Sequence, residues 1–327
     1  MKNKLKVLLG LSVFLGLFVS CSSDDDEERG NWIERSIFDG VPRSNAASFV
    51  IDGLGYMGTG YDGDDYLSDF WQYNIEGNYW SQKAAFPGVA RTAASGMAID
   101  GDGYIGIGYD GLEELEDFYK YDVASNSWSQ IADFGGGLRR FAVSFGVNGV
   151  GYVGTGYDGD NDLKDFWKYT PATDTWSELV GFGGDKRRDA TTFTIEGKVY
   201  LGTGISNGSY KTDFWVFDPT TETWDALTDL DDDDDYSIVR SNAVGFSMDG
   251  LGYIATGYYG GAMTSIWEYD PYNDVWEEIT NLEATARQDT TAFSTGSRVF
   301  VTLGKTGTLY LDDTFEVFPQ DDYDDED

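Results

Sequence analysis

The sequence predicts an all-β protein, a six-bladed β-propeller with four antiparallel strands in each blade. First, an aromatic landmark in a glycine-rich segment recurs at spacings of 48, 48, 48, 53 and 47 residues, and a period of this length is typical of propeller blades. Second, each repeat contains four short β-prone segments separated by turn residues. Third, the fourth segment that the last repeat lacks is found at the start of the chain, as a closed ring requires. The six landmarks are Tyr56, Tyr104, Tyr152, Tyr200, Tyr253 and Phe300.

The chain begins with the pattern of an export signal. Three lysines precede an apolar run at residues 7–19 that is too short and wrongly flanked to span a membrane. The run ends in Phe-Val-Ser-Cys, which resembles the lipobox of bacterial lipoproteins, with Phe18 where Leu is usual. We therefore expect residues 1–20 to be a lipoprotein signal peptide and Cys21 to carry a lipid that attaches the protein to a membrane. The alternative is an ordinary secretory signal with an incidental Cys.

An acidic segment follows the cysteine. Residues 24–28 read Asp-Asp-Asp-Glu-Glu, which resembles the surface-export signal of lipoproteins in some Gram-negative lineages. The alternative is a solvated tether, because like charges repel and keep a segment extended. We expect residues 21–30 to tether the protein to the bacterial outer membrane, exposed at the cell surface, with a periplasm-facing anchor as the alternative. The acidic residues 321–327 are expected to form a disordered tail.

The propeller is predicted to occupy residues 31–320. In each blade the first segment follows an Arg, and a tight turn such as Asp-Gly leads to the second, glycine-rich segment. The third segment has the pattern Asp-Phe-Trp-x-Tyr, and the fourth carries a Trp. In the first blade these four segments are marked by Arg43, Tyr56, Asp69 and Trp80. The repeated aromatic residues are expected to pack between the blades.

The repeat count predicts how the ring closes. The last repeat lacks a fourth segment, whereas Trp32 lies 11 residues before Arg43, just as Trp80 lies 11 residues before Arg91. We therefore expect the strand near Trp32 to supply the outer strand of the last blade. Without it, the apolar faces of the first and last blades would stay in contact with water.

These marks resemble those of kelch-repeat propellers, the superfamily that includes the central domain of galactose oxidase. The shared features are the Arg before strand one, the glycines of strand two, the Tyr of strand three and the Trp of strand four, and they cover residues 31–320. The family's adjacent double glycine appears here as Gly-Thr-Gly or Gly-Ile-Gly, and the last two blades depart further at residues 255–257 and 302–304. The resemblance implies the kelch type of propeller.

Composition excludes several kinds of chemistry. The 327 residues carry a formal net charge of −36, with 58 acidic against 22 basic residues, and so acidic a surface repels nucleic-acid phosphates. With 10 Trp, 22 Tyr and 20 Phe, the chain is too aromatic for a disordered acidic protein. The sequence has no His and one Cys, which rules out His-dependent triads, imidazole metal sites, disulfides and the copper chemistry of galactose-oxidase-type enzymes. We expect no cofactor, no nucleic-acid partner, and a binding role in preference to catalysis.

The candidate site lies on the face that carries the Arg and Tyr-Asp-Gly loops, because the other connections are short turns. Blades three and four double the arginine, giving Arg139-Arg140 and Lys186-Arg187-Arg188. We expect this patch to bind an anionic group, such as the carboxylate of an acidic sugar; the alternative is neutralisation by nearby acidic loops. The repeated arginines either contact a ligand at the channel mouth or pair with the repeated strand-three Asp. The other repeated arginines are Arg43, Arg91, Arg240 and Arg287.

Tyrosines in the loops between the second and third strands are further ligand-binding candidates. Their rings can stack on sugar faces while neighbouring carboxylates accept hydroxyl hydrogen bonds; the alternative is that these loops only form turns. Asp158, Asp160 and Asp162 are a weak Ca²⁺ candidate, because Tyr169 stands where an EF-hand loop has Glu. The acidic run at residues 231–235, in the longer exit loop of blade four, is expected to be solvated. The candidate tyrosines are Tyr61, Tyr109, Tyr157 and Tyr259.

From these features we expect a membrane-anchored, surface-exposed propeller that binds a glycan or protein ligand at its Arg-bearing face without catalysis. The first alternative is a sugar epimerase or mutarotase, because the sequence resembles, in blade number and export, the six-bladed kelch epimerases that act on sialic acid. No catalytic motif can be matched residue by residue. Such an enzyme would use carboxylate and Tyr side chains as general acid–base groups. The second alternative is a structural subunit of an envelope complex.

Overall fold

The computed structural model describes residues 29–324. This part of the chain is all β, with 28 strands and no helix, and so it contains no helix that could cross a membrane. The predictions for the signal peptide, for Cys21 and for most of the acidic tether lie outside the described residues, as do residues 325–327.

The strands form six four-stranded antiparallel sheets, which are the six blades predicted from the repeat. The first strand, β1 (Arg29–Glu34), belongs to the last blade. Blades one to three then follow in chain order, each from its inner strand to its outer strand. Blade one is β2 (Ala47–Ile51), β3 (Leu54–Gly58), β4 (Phe70–Asn74) and β5 (Tyr79–Gln82). Blade two is β6 (Ser95–Ile99), β7 (Asp102–Tyr109), β8 (Glu114–Asp122) and β9 (Ser127–Gln130). Blade three is β10 (Val143–Val147), β11 (Val150–Gly154), β12 (Phe166–Thr170) and β13 (Thr175–Leu179).

Blades four and six each add a small two-stranded hairpin between their second and third strands. Blade four is β14 (Thr191–Ile195), β15 (Lys198–Gly202), the hairpin β16 (Ile205–Ser206) and β17 (Ser209–Tyr210), β18 (Trp215–Asp218) and β19 (Thr223–Ala226). Blade five is β20 (Val244–Met248), β21 (Leu251–Ala255), β22 (Ile266–Asp270) and β23 (Val275–Ile279). Blade six is β24 (Thr291–Ser294), β25 (Val299–Thr302), the hairpin β26 (Lys305–Thr306) and β27 (Leu309–Tyr310), and β28 (Thr314–Asp322).

The N-terminal strand closes the ring, as predicted from the position of Trp32. Strand β1 pairs antiparallel with β28 as the outer strand of blade six, and Trp32 lies opposite Val317. The indole is buried, and its Nε1 donates to the Thr280 carbonyl oxygen of blade five at 3.0 Å. Strand β1 begins at residue 29 and strand β28 ends at residue 322. Each bound lies two residues beyond the predicted edge of the propeller, because Arg29 pairs with Asp322 across the two strands.

Aromatic side chains fill the space between neighbouring blades. Phe70 of blade one contacts Tyr121 and Trp128 of blade two, with ring centroids 4.8 and 4.9 Å apart. In the next interface, Phe118 of blade two lies 5.2 Å from Trp176 of blade three. Each such ring removes roughly 150–250 Å² of surface from water. The interfaces between blades therefore form the hydrophobic core.

Small residues line the central channel and let the inner strands approach closely. A Cβ atom on Gly146 of β10 would lie 1.8 Å from the Ala98 carbonyl oxygen of β6, and so only glycine fits there. The channel has a cavity volume of about 470 Å³.

Candidate ligand-binding site at the channel mouth

The six repeated arginines are buried inside the blades, with exposures of 0–1%. In five blades the guanidinium pairs with the Asp that precedes strand three, as Arg43 does with Asp69 at 2.5 and 2.7 Å. This burial corrects the expectation that the repeated arginines contact a ligand, because a buried and paired guanidinium has no surface to offer one. Pairing within the blade, the alternative, is what the structure shows. The pairs are Arg43–Asp69, Arg91–Asp117, Arg139–Asp165, Arg187–Asp213 and Arg287–Asp313.

Each buried arginine also holds a bend in strand two. Arg43 Nη1 donates at 3.0 Å to the carbonyl oxygen of Thr59, whose φ of 63° lies in the left-handed region. A non-glycine residue there costs roughly 1–2 kcal/mol, and the hydrogen bond from the arginine offsets part of this cost. The repeated arginines therefore stabilise the blade. The corresponding carbonyls belong to Thr59, Ile107, Thr155, Thr203, Thr256 and Leu303.

Blade five lacks the carboxylate partner. Ser265 stands in the place of the strand-three Asp, and the guanidinium of Arg240 donates only to backbone carbonyls, among them those of Ser237, Thr256 and Ser265. Burial without a paired carboxylate lowers the pKa of Arg240 to about 10. Arg240 therefore stays charged at neutral pH in an environment that disfavours the charge.

Six residues, each two positions after a repeated arginine, encircle the channel mouth. The N–H of each donates to the carbonyl oxygen of its counterpart in the preceding blade at 3.0–3.3 Å, so the hydrogen bonds form a closed ring. All six residues have φ between 53° and 58°, a conformation that Asn and Asp adopt more readily than most residues. They border a cavity of about 140 Å³. The six residues are Asn45, Ala93, Phe141, Asp189, Asn242 and Asp289.

Four polar side chains of this ring give the channel mouth its chemistry. Asp289 accepts a hydrogen bond from Asn242 Nδ2 at 2.6 Å and lies 3.3 Å from Lys305 Nζ. Burial, together with the negative charge of Asp289, raises the pKa of Asp189 to about 8, so this carboxyl holds its proton more tightly than an ordinary Asp does. Sequence reasoning missed these residues. The available signal was the fixed offset of two from each Arg, at which four blades carry Asn or Asp.

The second arginine of blade three lies beside the mouth in an aromatic setting. The guanidinium carbon of Arg140 lies 4.3 Å from the ring centroid of Tyr109 and 5.3 Å from that of Tyr157, distances at which cation–π attraction is favourable. Its Nε lies 3.3 Å from the carboxylate of the buried Glu114. Arg140 is thus oriented by its neighbours and neutralised by one of them.

The second arginine of blade four is held in a similar way. Arg188 Nη1 donates to the buried Asp162 at 2.6 Å, and its Nε lies 3.7 Å from Asp189. Its guanidinium carbon lies 5.2 Å from the Tyr157 ring, so the second arginines of blades three and four both contact the same tyrosine. The structure thus brings Arg140 and Arg188 together and pairs each with a carboxylate. Lys186 is exposed and makes no ion pair with any residue between 29 and 324.

Of the candidate loop tyrosines, Tyr61, Tyr109 and Tyr157 are half-buried and Tyr259 is exposed, and two of the half-buried ones stabilise their own turns. The hydroxyls of Tyr61 and Tyr157 donate to the carbonyls of Gly63 and Gly159 at 2.7 and 2.6 Å. The Asp that follows each of Tyr61, Tyr109 and Tyr157 accepts backbone N–H groups of its own turn; these residues are Asp62, Asp110 and Asp158. Turn formation, the alternative interpretation of these Asp residues, is therefore what the structure shows.

The calcium candidate is not assembled. Asp158 accepts the N–H groups of Asp160 and Asn161, whereas Asp162 is buried and accepts from Arg188 and from the Asn207 N–H. Among residues 29–324 no group of three or more His, Cys, Asp or Glu side chains converges to hold a metal ion. The physical reason is that the cationic Arg188 occupies the carboxylate that a cation would need.

Solved structures support the fold. A structure entitled "Structure of YjhT" matches 85% of this chain and 95% of its own chain, with a TM-score of 0.74 and 17% sequence identity. No protein-family model matches the sequence, and no curated protein sequence is similar to it. At this level of identity the similarity shows a shared propeller fold, and function must be argued from the site.

Proposed function

We propose that the protein is a lipid-anchored, surface-exposed propeller of the kelch type that binds a glycan at its channel mouth without catalysing a reaction. The observation that carries this proposal is the closed hydrogen-bonded ring, which holds four Asn and Asp side chains around one cavity. A cavity of about 140 Å³ suits one sugar residue. A protein partner would instead need roughly 800 Å² of interface on each side.

The groups at the mouth complement a hydroxyl-rich ligand. Asn45 and Asn242 can both donate and accept, and Asp189, whose pKa is raised to about 8, can do the same when it carries its proton. Arg140 lies next to the ring, and its Nη atoms make no hydrogen bond within residues 29–324. These atoms can therefore meet a ligand carboxylate, which favours an acidic sugar. Because both arginines already face carboxylates, we expect the preference for acidic sugars to be modest.

A glycan array at fixed salt tests the proposal with the intact protein in detergent. We expect acidic glycans among those bound, with binding that weakens as salt rises. Arg140→Ala combined with Arg188→Ala should reduce the signal, whereas Lys186→Ala serves as the matched control, since it removes a nearby exposed cation. Thermal unfolding of each variant checks that its fold is intact. An array without any bound glycan would contradict the proposal. Unchanged binding by the folded double variant would show that Arg140 and Arg188 do not take part in glycan binding.

The anchoring to the membrane rests on the sequence features around Cys21. We expect Cys21→Ser to abolish incorporation of a labelled fatty acid and to release the protein from membranes. Protease treatment of intact cells should degrade the wild-type protein if it faces outward. Protection of the protein until the outer membrane is opened would instead favour the periplasm-facing anchor.

Asp189 favours epimerase or mutarotase activity as a second candidate function. A carboxyl whose pKa is raised to about 8 by burial and by Asp289, at the opening of a cavity, has the proton affinity that general acid–base catalysis at neutral pH needs. NMR of any sugar bound on the array would reveal accelerated anomer interconversion. If that rate fell in Asp189→Asn while binding persisted, the protein would be an enzyme. A rate equal to that without protein would leave the binding role alone.

A further inference from the structure

A second cavity lies between blades four and five and shares no lining residue with the channel mouth. Its volume is about 490 Å³, within the range of small-molecule sites. Three tyrosines from three separate segments line it: Tyr210 of hairpin strand β17, Tyr236 of the blade-four exit loop and Tyr259 of the blade-five loop. Hydroxyl side chains of Ser209 and Thr212 complete one part of its wall.

Tyr259 departs from the repeat at a position where three other blades have an Asp that closes the turn. Asp62, for example, accepts two backbone N–H groups at 2.9 and 2.7 Å, which a tyrosine ring cannot do. The turn in blade five closes instead through the Tyr259 N–H and the Gly261 carbonyl at 3.0 Å. The ring of Tyr259 is left 57% exposed and 4.7 Å from that of Tyr210. A turn-forming residue has thus been replaced by an exposed aromatic surface.

The exit loop of blade four is a second departure at the same place. It is five residues longer than its counterparts, which accounts for the spacing of 53, and it contains Tyr236. The hydroxyl of Tyr236 accepts the Trp276 N–H at 3.2 Å, and its ring packs edge-on against Trp267 at 5.4 Å. The extra residues therefore position Tyr236 as a fixed wall of the cavity.

We propose that this cavity, lined by Tyr210, Tyr236 and Tyr259, is a second binding site and that it takes a neutral sugar ring. A pyranose presents C–H groups on its faces, which stack on aromatic rings, and hydroxyls at its edge, which bond to hydroxyl and carboxylate side chains. The cavity supplies both kinds of partner, since Asp231 lies beside the three rings.

The charge of the surroundings selects a neutral ligand. Asp231 begins a run of five consecutive aspartates, all exposed, and the lining contains no Lys or Arg. The negative potential of this run disfavours a carboxylate or phosphate in the cavity. The channel mouth differs because Arg140, Arg188 and Lys305 lie beside it. The two sites therefore recognise different sugars, and this second site does not depend on the function proposed for the mouth.

Saturation-transfer NMR on the intact protein tests the proposal with glucose, galactose, mannose and N-acetylglucosamine at millimolar concentrations. We expect at least one of these sugars to bind, and Tyr259→Ala to weaken its binding by roughly two- to tenfold, the effect of losing one stacking ring. Tyr272→Ala is the matched control, because this tyrosine is 93% exposed and lies outside both sites. The combined Arg140→Ala and Arg188→Ala variant should bind the same sugar as tightly as the parent protein.

The proposal is overturned if none of the four sugars binds, or if Tyr259→Ala binds as well as Tyr272→Ala does. It is also overturned if the arginine variant loses the neutral sugar, because the sugar would then occupy the channel mouth. Binding of N-acetylneuraminic acid that survives the arginine substitutions but not Tyr259→Ala would likewise contradict the charge argument.

Discussion

Ser265→Asp is expected to stabilise the protein, because blade five lacks a carboxylate that blades one, three and four each use twice. In blade one, Asp69 accepts from Arg43 and also from the indole Nε1 of Trp71, the latter at 2.7 Å. In blade five the corresponding indole, that of Trp267, is buried and has no hydrogen-bond acceptor in the described part of the chain. The buried Ser265 hydroxyl likewise has no hydrogen-bond partner there. An Asp at this position can satisfy both Arg240 and Trp267.

The magnitude follows from the state of Arg240. Burial lowers its pKa from 12.5 to about 10, and because a tenfold change in proton affinity corresponds to about 1.4 kcal/mol, the buried charge costs on the order of 3 kcal/mol. The new carboxylate must itself lose hydration, although Asp69 and Asp313, at equivalent positions, keep about a quarter of their surface exposed. We therefore expect a net gain of about 1–2 kcal/mol. In a domain of this size that corresponds to a rise in Tm of roughly 2–3 °C.

The assay is thermal unfolding of the intact protein followed by the fluorescence of its ten tryptophans. Ser265→Asn is the matched control, since it offers Trp267 an acceptor without adding a charge, and it should gain less. Asp165→Ser creates the blade-five situation in blade three and should lower Tm. A Tm for Ser265→Asp at or below that of the parent protein would refute the reasoning, as would an unchanged Tm for Asp165→Ser.

Three further predictions concern the ring and the mouth. Deleting residues 22–36 removes β1 and should lower the free energy of unfolding by more than about 3 kcal/mol, because Trp32 is then lost from the core. Deleting residues 22–28 alone should change it little. Equal melting temperatures for the two variants would contradict closure of the ring by β1. Gly146→Ala should cost at least about 2 kcal/mol through its clash with the facing strand, whereas Gly261→Ala, whose Cβ meets nothing within 4 Å, should not. The pKa of Asp189 is about 8 in the folded protein against an ordinary value of 3.8. Because the folded state binds this proton more tightly than the unfolded state, the protein should lose stability as pH rises from about 4 through 8. Asp189→Asn should reduce this loss in denaturant titrations at several pH values, and identical pH profiles for the two proteins would contradict the prediction.

The architecture could be predicted from the sequence because it repeats. The period fixed the blade length, and the offset of 11 residues between Trp32 and Arg43 indicated which strand closes the ring. Both the repeat period and this offset relate residues that are no more than about one blade apart in the sequence, so they can be read without knowing the fold. The role of the repeated arginines was harder to predict, because an Arg beside a channel suits both a ligand and a blade. The burial of the arginine side chains decides between ligand contact and pairing within the blade, and this burial cannot be predicted from the sequence pattern.

The sites could not be predicted because they depend on contacts between blades. Asn45 and Asp289 are neighbours in the mouth only because the ring closes, and the Tyr259 and Tyr236 rings face one cavity only because blades four and five lie side by side. What the sequence does contain is the departure from the repeat at each place: doubled arginines near the mouth, and at the second cavity a lost turn Asp, a lost strand-three Asp and a longer loop. The lost strand-three Asp leaves the buried Trp267 indole without an acceptor in the described part of the chain and Arg240 without a carboxylate partner. Departures from a repeat are therefore the positions at which a sequence alone indicates where a candidate site lies, because the repeated residues are explained by the blade architecture.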